Sequence, residues 1–156
     1  HDAPFAFETG YRPAAGIERM RVGTPPVIAM TALDAALDVW DEVSMDHLRA
    51  KSVDLTGAFI AEVEASCPDL LLNSPRDPER RGSQVGFRHR QGHAVMQALI
   101  AEGVIGDFRA PDVMRFGFAP LYNDRDDVSR AAATLARILR DEGWKKAQFM
   151  RKAAVT

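Results

Sequence analysis

The chain has 156 residues, 46% of them hydrophobic and 27% charged, which is ordinary globular material with enough apolar mass for one buried core. A net charge of −2 and a pI near 6.1 offer no general attraction to nucleic acid or to an anionic membrane, and no apolar run approaches the roughly 18 residues needed to span a bilayer. The single cysteine, Cys67, excludes an internal disulfide and fits a cytoplasmic setting.

Residues 1–23 carry Pro4, Gly10, Pro13, Gly16 and Gly23 among scattered apolar residues and read as an extended arm that needs a partner surface. The start at His1, with neither methionine nor leader, is what a fragment would show. Thr24-Pro25-Pro26 then reads as a helix start, with Thr24 as N-cap and proline in the first turn, and Met30, Leu33, Leu37 and Trp40 recur at helical spacing to about Asp41. Ser44 caps a second helix, whose stripe of Leu48, Leu55, Phe59 and Val63 ends at Cys67-Pro68. Residues 24–68 are thus two linking helices.

From residue 69 to 144 the pattern shortens. Leu70–Asn73 is a candidate strand, Ser74–Gly82 a loop, and Gln84–His89 alternates Val85 and Phe87 with polar neighbours, as a strand with one buried face does. Gly92–Gly103 reads as a helix with Val95, Leu99 and Ile100 inward, and Val104–Arg109 and Val113–Phe118 as two strands joined around Pro111. Asn123 or Asp124 caps a last helix with Val128, Leu135, Ile138 and Leu139 inward and Gly143 as its stop. Residues 145–156, with Lys145, Lys146, Arg151 and Lys152, read as a solvated charged tail. The fold class is α+β, with helices covering a small, mostly antiparallel sheet.

Self-contained chemistry is scarce. There is no G-x-G-x-x-G, no P-loop, no H-E-x-x-H and no paired C-x-x-C, and His89 and His93 read as loop and surface residues rather than metal ligands. Arg80-Arg81-Gly82-Ser83 could hold an anion, but charged loop residues are more often solvated. The informative stretch is Val113-Met114-Arg115-Phe116-Gly117-Phe118-Ala119-Pro120, which sets one arginine inside an apolar strand. A guanidinium held on a rigid strand offers a flat fork of donors that fits a carboxylate bidentately. The bland alternative is an edge arginine facing water or a structural carboxylate.

Five segments, in order, resemble the C-terminal part of kynureninases: Phe5-Ala6-Phe7-Glu8, Tyr11 to Ile17, Val22-Gly23-Thr24-Pro25-Pro26, Arg81 to Val85, and Val104 to Pro111 continuing to Leu121-Tyr122-Asn123. The resemblance implies the small C-terminal domain of a pyridoxal 5′-phosphate enzyme of the aspartate-aminotransferase fold type, which hydrolyses L-kynurenine or 3-hydroxykynurenine to an anthranilate and L-alanine. It implies that Arg115 grips the α-carboxylate of the amino-acid substrate, and that Thr24 presents its side chain to the cofactor phosphate from the neighbouring subunit of a homodimer. Gly82-Ser83 and Tyr122-Asn123 match as structural segments. The resemblance also implies that the Schiff-base lysine and most cofactor ligands belong to an upstream large domain, so that the chain alone is inactive. Two other readings stay open: a piece of another enzyme of this fold type, such as a class V aminotransferase or cysteine desulfurase, and a non-catalytic dimerisation module.

Overall fold

The computed structural model describes residues 1–3, 5–21 and 23–151, so Pro4, Val22 and residues 152–156 of the charged tail lie outside the described residues. The chain divides into two compact units, one formed by His1–Val43 and one beginning at Ser44.

In the first unit the arm contains a short 3₁₀ turn, Gly16–Met20, and leads to helix α1, Val27–Leu37, followed by a second 3₁₀ turn, Asp38–Trp40. The helix starts later than its sequence suggests. Pro26 occupies the N-cap position without any side-chain hydrogen bond, so Thr24 is not the cap. Each proline of the pair pushes the residue before it towards extended backbone, and winding begins only after the second one. No residue of α1 is buried; Val27, Ile28, Met30, Leu33 and Leu37 are all exposed.

The second unit opens with α2, Met45–Ser66, capped by the Ser44 hydroxyl, which accepts from the His47 amide at 3.4 Å. It closes at Cys67, where Pro68 prevents another turn. There follow β1 (Leu71–Leu72), β2 (Gln84–Arg88), α3 (Gly92–Ala101), β3 (Asp107–Arg109), β4 (Val113–Gly117), α4 (Arg125–Arg140) and the short α5 (Ala147–Met150). The four strands form one antiparallel sheet in the order β1-β2-β4-β3. Its register sets Val85 opposite Phe116 and Phe87 opposite Met114, so these four side chains share one face, and each of them is buried.

Helix α2 covers that face through Phe59, whose ring lies 4.9 Å from Phe116, 5.2 Å from Phe118 and 6.1 Å from Phe87. Helix α4 runs beside α2 and buries Val128, Ala132, Leu135 and Ile138, and the Arg125 Nε bonds Asp54 across the two helices at 2.7 Å. Asp124 caps α4 in a reciprocal capping box: its carboxylate accepts from the Asp127 amide, and Asp127 accepts from the Asp124 amide.

Other expectations change as well. Ile100 is 38% exposed rather than inward, because it sits one residue past Leu99 and is turned about 100° away from the stripe that Val95 and Leu99 define. The left-handed residue after α4 is Glu142, with φ of 53°, and not Gly143. The tail is not wholly solvated, since Phe149 on α5, together with the preceding Trp144, packs against the core.

Candidate functional site

Strict alternation along β4 sends Met114 and Phe116 into the core and Arg115 to the opposite, open face of the sheet. Directly across from Arg115 are Gly86 on β2 and Asp107 on β3. The guanidinium is therefore flanked by a bare backbone on one side and a carboxylate on the other. Arg115 Nη2 donates to Asp107 Oδ2, and Arg109 Nη2 reaches the same oxygen at 3.2 Å. Arg115 is the more sheltered of the two arginines, with 29% of its side chain exposed against 66% for Arg109. Its Nε is buried and has no hydrogen-bond acceptor.

Two glycines shape this face. At Gly86 a Cβ would stand 3.3 Å from Val113 Cγ1 and 3.7 Å from Asn73, so a side chain there would crowd the strip beside Arg115. At Gly106 a Cβ would meet the Arg115 carbonyl oxygen and Met96 Cε, each at 2.7 Å, so the segment entering β3 can lie against β4 only as glycine. Beyond Gly86, Asn73 Oδ1 accepts from Arg88 Nε at 2.9 Å and the Ser74 hydroxyl accepts from the Gly86 amide at 2.8 Å, which pins the end of β1 beside the site.

The structure thus brings Arg115 together with Asp107 and Arg109, a cluster that motif reading missed. The signal was faint but present: Pro111 lies in a short hairpin connection, and counting pairs back from it sets Asp107 opposite Arg115. Thr24 belongs to the first unit. It is exposed and shares a broad hollow of about 770 Å³ with Tyr11, Arg19 and Arg21. Arg19 Nε donates to the Gly16 carbonyl at 3.2 Å, and Arg21 pairs with Glu18 at 3.1 Å.

Other candidates are structural. The Ser83 hydroxyl bonds the Ser52 hydroxyl at 2.7 Å, and Asn123 Oδ1 accepts from the Ala119 amide at 2.8 Å while its Nδ2 donates to Asp127. The Arg81 guanidinium is taken up by the Pro75 and Arg76 carbonyls of its own loop. His89 stacks edge-on to Trp144 and His93 edge-on to Phe108; burial pushes the His89 pKa down, and no group of three metal-capable side chains occurs among the described residues. Cys67 is buried and its thiol pKa is pushed up by that burial, the opposite of what a cysteine nucleophile requires. The described lysines lie off the sheet: Lys51 on α2, Lys145 paired with Glu142, and Lys146 just before α5. No helix among the described residues is long and apolar enough to cross a membrane.

Residues 48–135, which include most of α2, the whole sheet and most of α4, match the family described as kynureninase C-terminal domain. The whole chain aligns with curated relatives named kynureninase: at 47% identity with proteins of Burkholderia mallei and Burkholderia pseudomallei, and at 44% with one of Pseudomonas fluorescens. The chain spans 38% of the length of each of these relatives.

Proposed function

The chain belongs to the kynureninase family, and from that premise we propose that it forms the substrate-carboxylate end of a hydrolase that cleaves L-kynurenine or 3-hydroxykynurenine to an anthranilate and L-alanine. The observation that carries this reading is Arg115: a sheltered guanidinium on the open face of a rigid strand, with an Nε that has no acceptor. Nε is closed off, so an incoming carboxylate meets the terminal nitrogens, of which Asp107 takes only Nη2.

Each residue then has a limited task. Arg115 holds the α-carboxylate through paired N–H donors, which fixes the direction of the rest of the amino acid. The bond that breaks lies between the substrate's β and γ carbons, two bonds beyond the α carbon, so a tilt at the carboxylate is magnified at the reacting carbonyl.

The donors present also suit part of a pyridoxal 5′-phosphate site. A hydroxyl sharing a hollow with two arginines, as Thr24 does, fits a phosphate oxygen, whereas no described lysine lies on the sheet to carry the aldehyde. We assign Thr24 to the phosphate and place the carrier lysine in an upstream domain. Bound pyridoxal phosphate supplies an electron sink that makes the carbon–carbon cleavage accessible. Thr24→Ala in the full-length enzyme should weaken cofactor binding about tenfold, the loss of one hydrogen bond to a charged group being worth about 1.5 kcal/mol. Cofactor titration followed by absorbance checks this, and an unchanged dissociation constant removes Thr24 from the site.

We further propose a homodimer with the active site at the subunit interface. The reading is supported by α1, which exposes Val27, Ile28, Met30, Leu33 and Leu37 in a single short helix. The test of the whole reading is turnover: the full-length protein should cleave kynurenine, and residues 1–156 alone should not. Dimerisation without turnover by the full-length protein would instead mark a non-catalytic module.

A further inference from the structure

The cluster on the open face has an uneven charge count. Arg115 and Arg109 bring two permanent positive charges, and Asp107 meets both with one carboxylate. The group is one carboxylate short of neutral.

Asp107 sits where it can govern the guanidinium without filling the site. It is the cross-strand partner of Arg115 on the edge strand, held there by the three-residue pairing of β3 with β4, and Gly106 lets that edge press directly on the Arg115 carbonyl. Its contact is with Nη2 alone, which leaves Nη1 without a claim from this carboxylate. Arg109 holds the other side of Asp107. An aspartate gripped by two arginines is held in place, and a fixed aspartate at one corner of a guanidinium sets the plane of the other donors.

We propose that Asp107 is the positioning residue of the carboxylate clamp: it holds Arg115 with its free donor aimed at the substrate, and the substrate α-carboxylate supplies the missing charge. Arg109 keeps Asp107 from swinging towards the incoming carboxylate. The inference rests on the reading of Arg115 as the clamp.

The experiment measures kcat and KM for kynurenine in the full-length enzyme with Asp107→Asn, Asp107→Glu, Arg115→Lys and the Asp107→Asn/Arg115→Lys pair. Asparagine keeps the size of the side chain but removes its charge, so the guanidinium loses its ionic anchor. Asp107→Asn should raise KM about tenfold with kcat within about twofold, as expected when binding shared equally by substrate and transition state is lost. Asp107→Glu should recover most of the loss, and the double variant should be no worse than Arg115→Lys alone, because both changes act through one guanidinium. An unchanged KM in Asp107→Asn beside a raised KM in Arg115→Lys would overturn the role of Asp107 and leave the clamp standing. A lowered KM in Asp107→Asn would show that Asp107 competes with substrate, which also overturns the proposal. If Arg115→Lys leaves KM unchanged, the clamp itself fails, and the inference with it.

Discussion

Arg115→Lys in the full-length enzyme raises the KM for kynurenine by about ten- to hundredfold and leaves cofactor affinity where it was. The magnitude follows from what lysine lacks. A guanidinium offers five N–H donors in a plane, two of which meet a carboxylate in parallel, while an ammonium offers a compact charge that cannot make the same pair of bonds. Arg115 also spends one corner on Asp107, and a lysine that kept this ion pair would have little left for substrate. One charge-assisted hydrogen bond lost costs about 1.5–3 kcal/mol, which brackets the expected range. The cofactor should not notice, because the residue assigned to its phosphate is Thr24 in the other unit of the chain. Steady-state kinetics on substrate and an absorbance titration with pyridoxal phosphate give the two answers separately. Equal losses in both would mean that the substitution disturbs the fold rather than the clamp.

Phe59→Ala should be the most damaging single change to the fold. Phe59 is completely buried, and its ring touches aromatic partners from β2, from β4 and from the segment just after β4. It is the point at which α2 meets the sheet. Truncating a buried phenylalanine removes its transfer free energy and leaves a void that rigid neighbours cannot fill, at a cost of about 3–5 kcal/mol. Small domains have only about 5–15 kcal/mol to lose. Ile138→Val, on the buried face of α4, removes one methylene from the same core and should cost about 1 kcal/mol. Urea unfolding of residues 1–156 followed by circular dichroism should show these two shifts in that order with similar slopes. A Phe59→Ala midpoint no lower than that of Ile138→Val would mean that α2 is attached to the sheet by something other than this ring.

What could be read from the sequence and what could not divide along a physical line. Helix α2 was legible at both ends because both signals are local: a serine that caps through its own hydroxyl, and a proline that forbids another turn. Strands β2 and β4 were legible because alternation is a property of neighbouring residues. The start of α1 misled because threonine before a proline pair carries two contradictory signals, a good cap and an obligatory extended backbone, and the second prevails. Trp144 and Phe149 lie among lysines in a segment with no helical stripe, so their seat on the core could come only from tertiary structure. At the site, Arg115 announced itself as a charge in an apolar strand. Asp107 and Gly86 did not, since they become its neighbours only through strand register. A carboxylate eight residues away carries no local mark of that role.

Among the described residues, every fully buried side chain falls between residues 52 and 138, while α1 turns Val27, Ile28, Met30, Leu33 and Leu37 outward. Thermodynamic robustness and colloidal behaviour are therefore encoded in separate stretches. Charged residues placed on α1, for instance Ile28→Lys or Leu33→Glu, would make the isolated chain less sticky at no expense to its core, and substitutions that tighten the core would do nothing to prevent precipitation. Laboratory handling of the fragment and the endurance of its fold can be tuned independently.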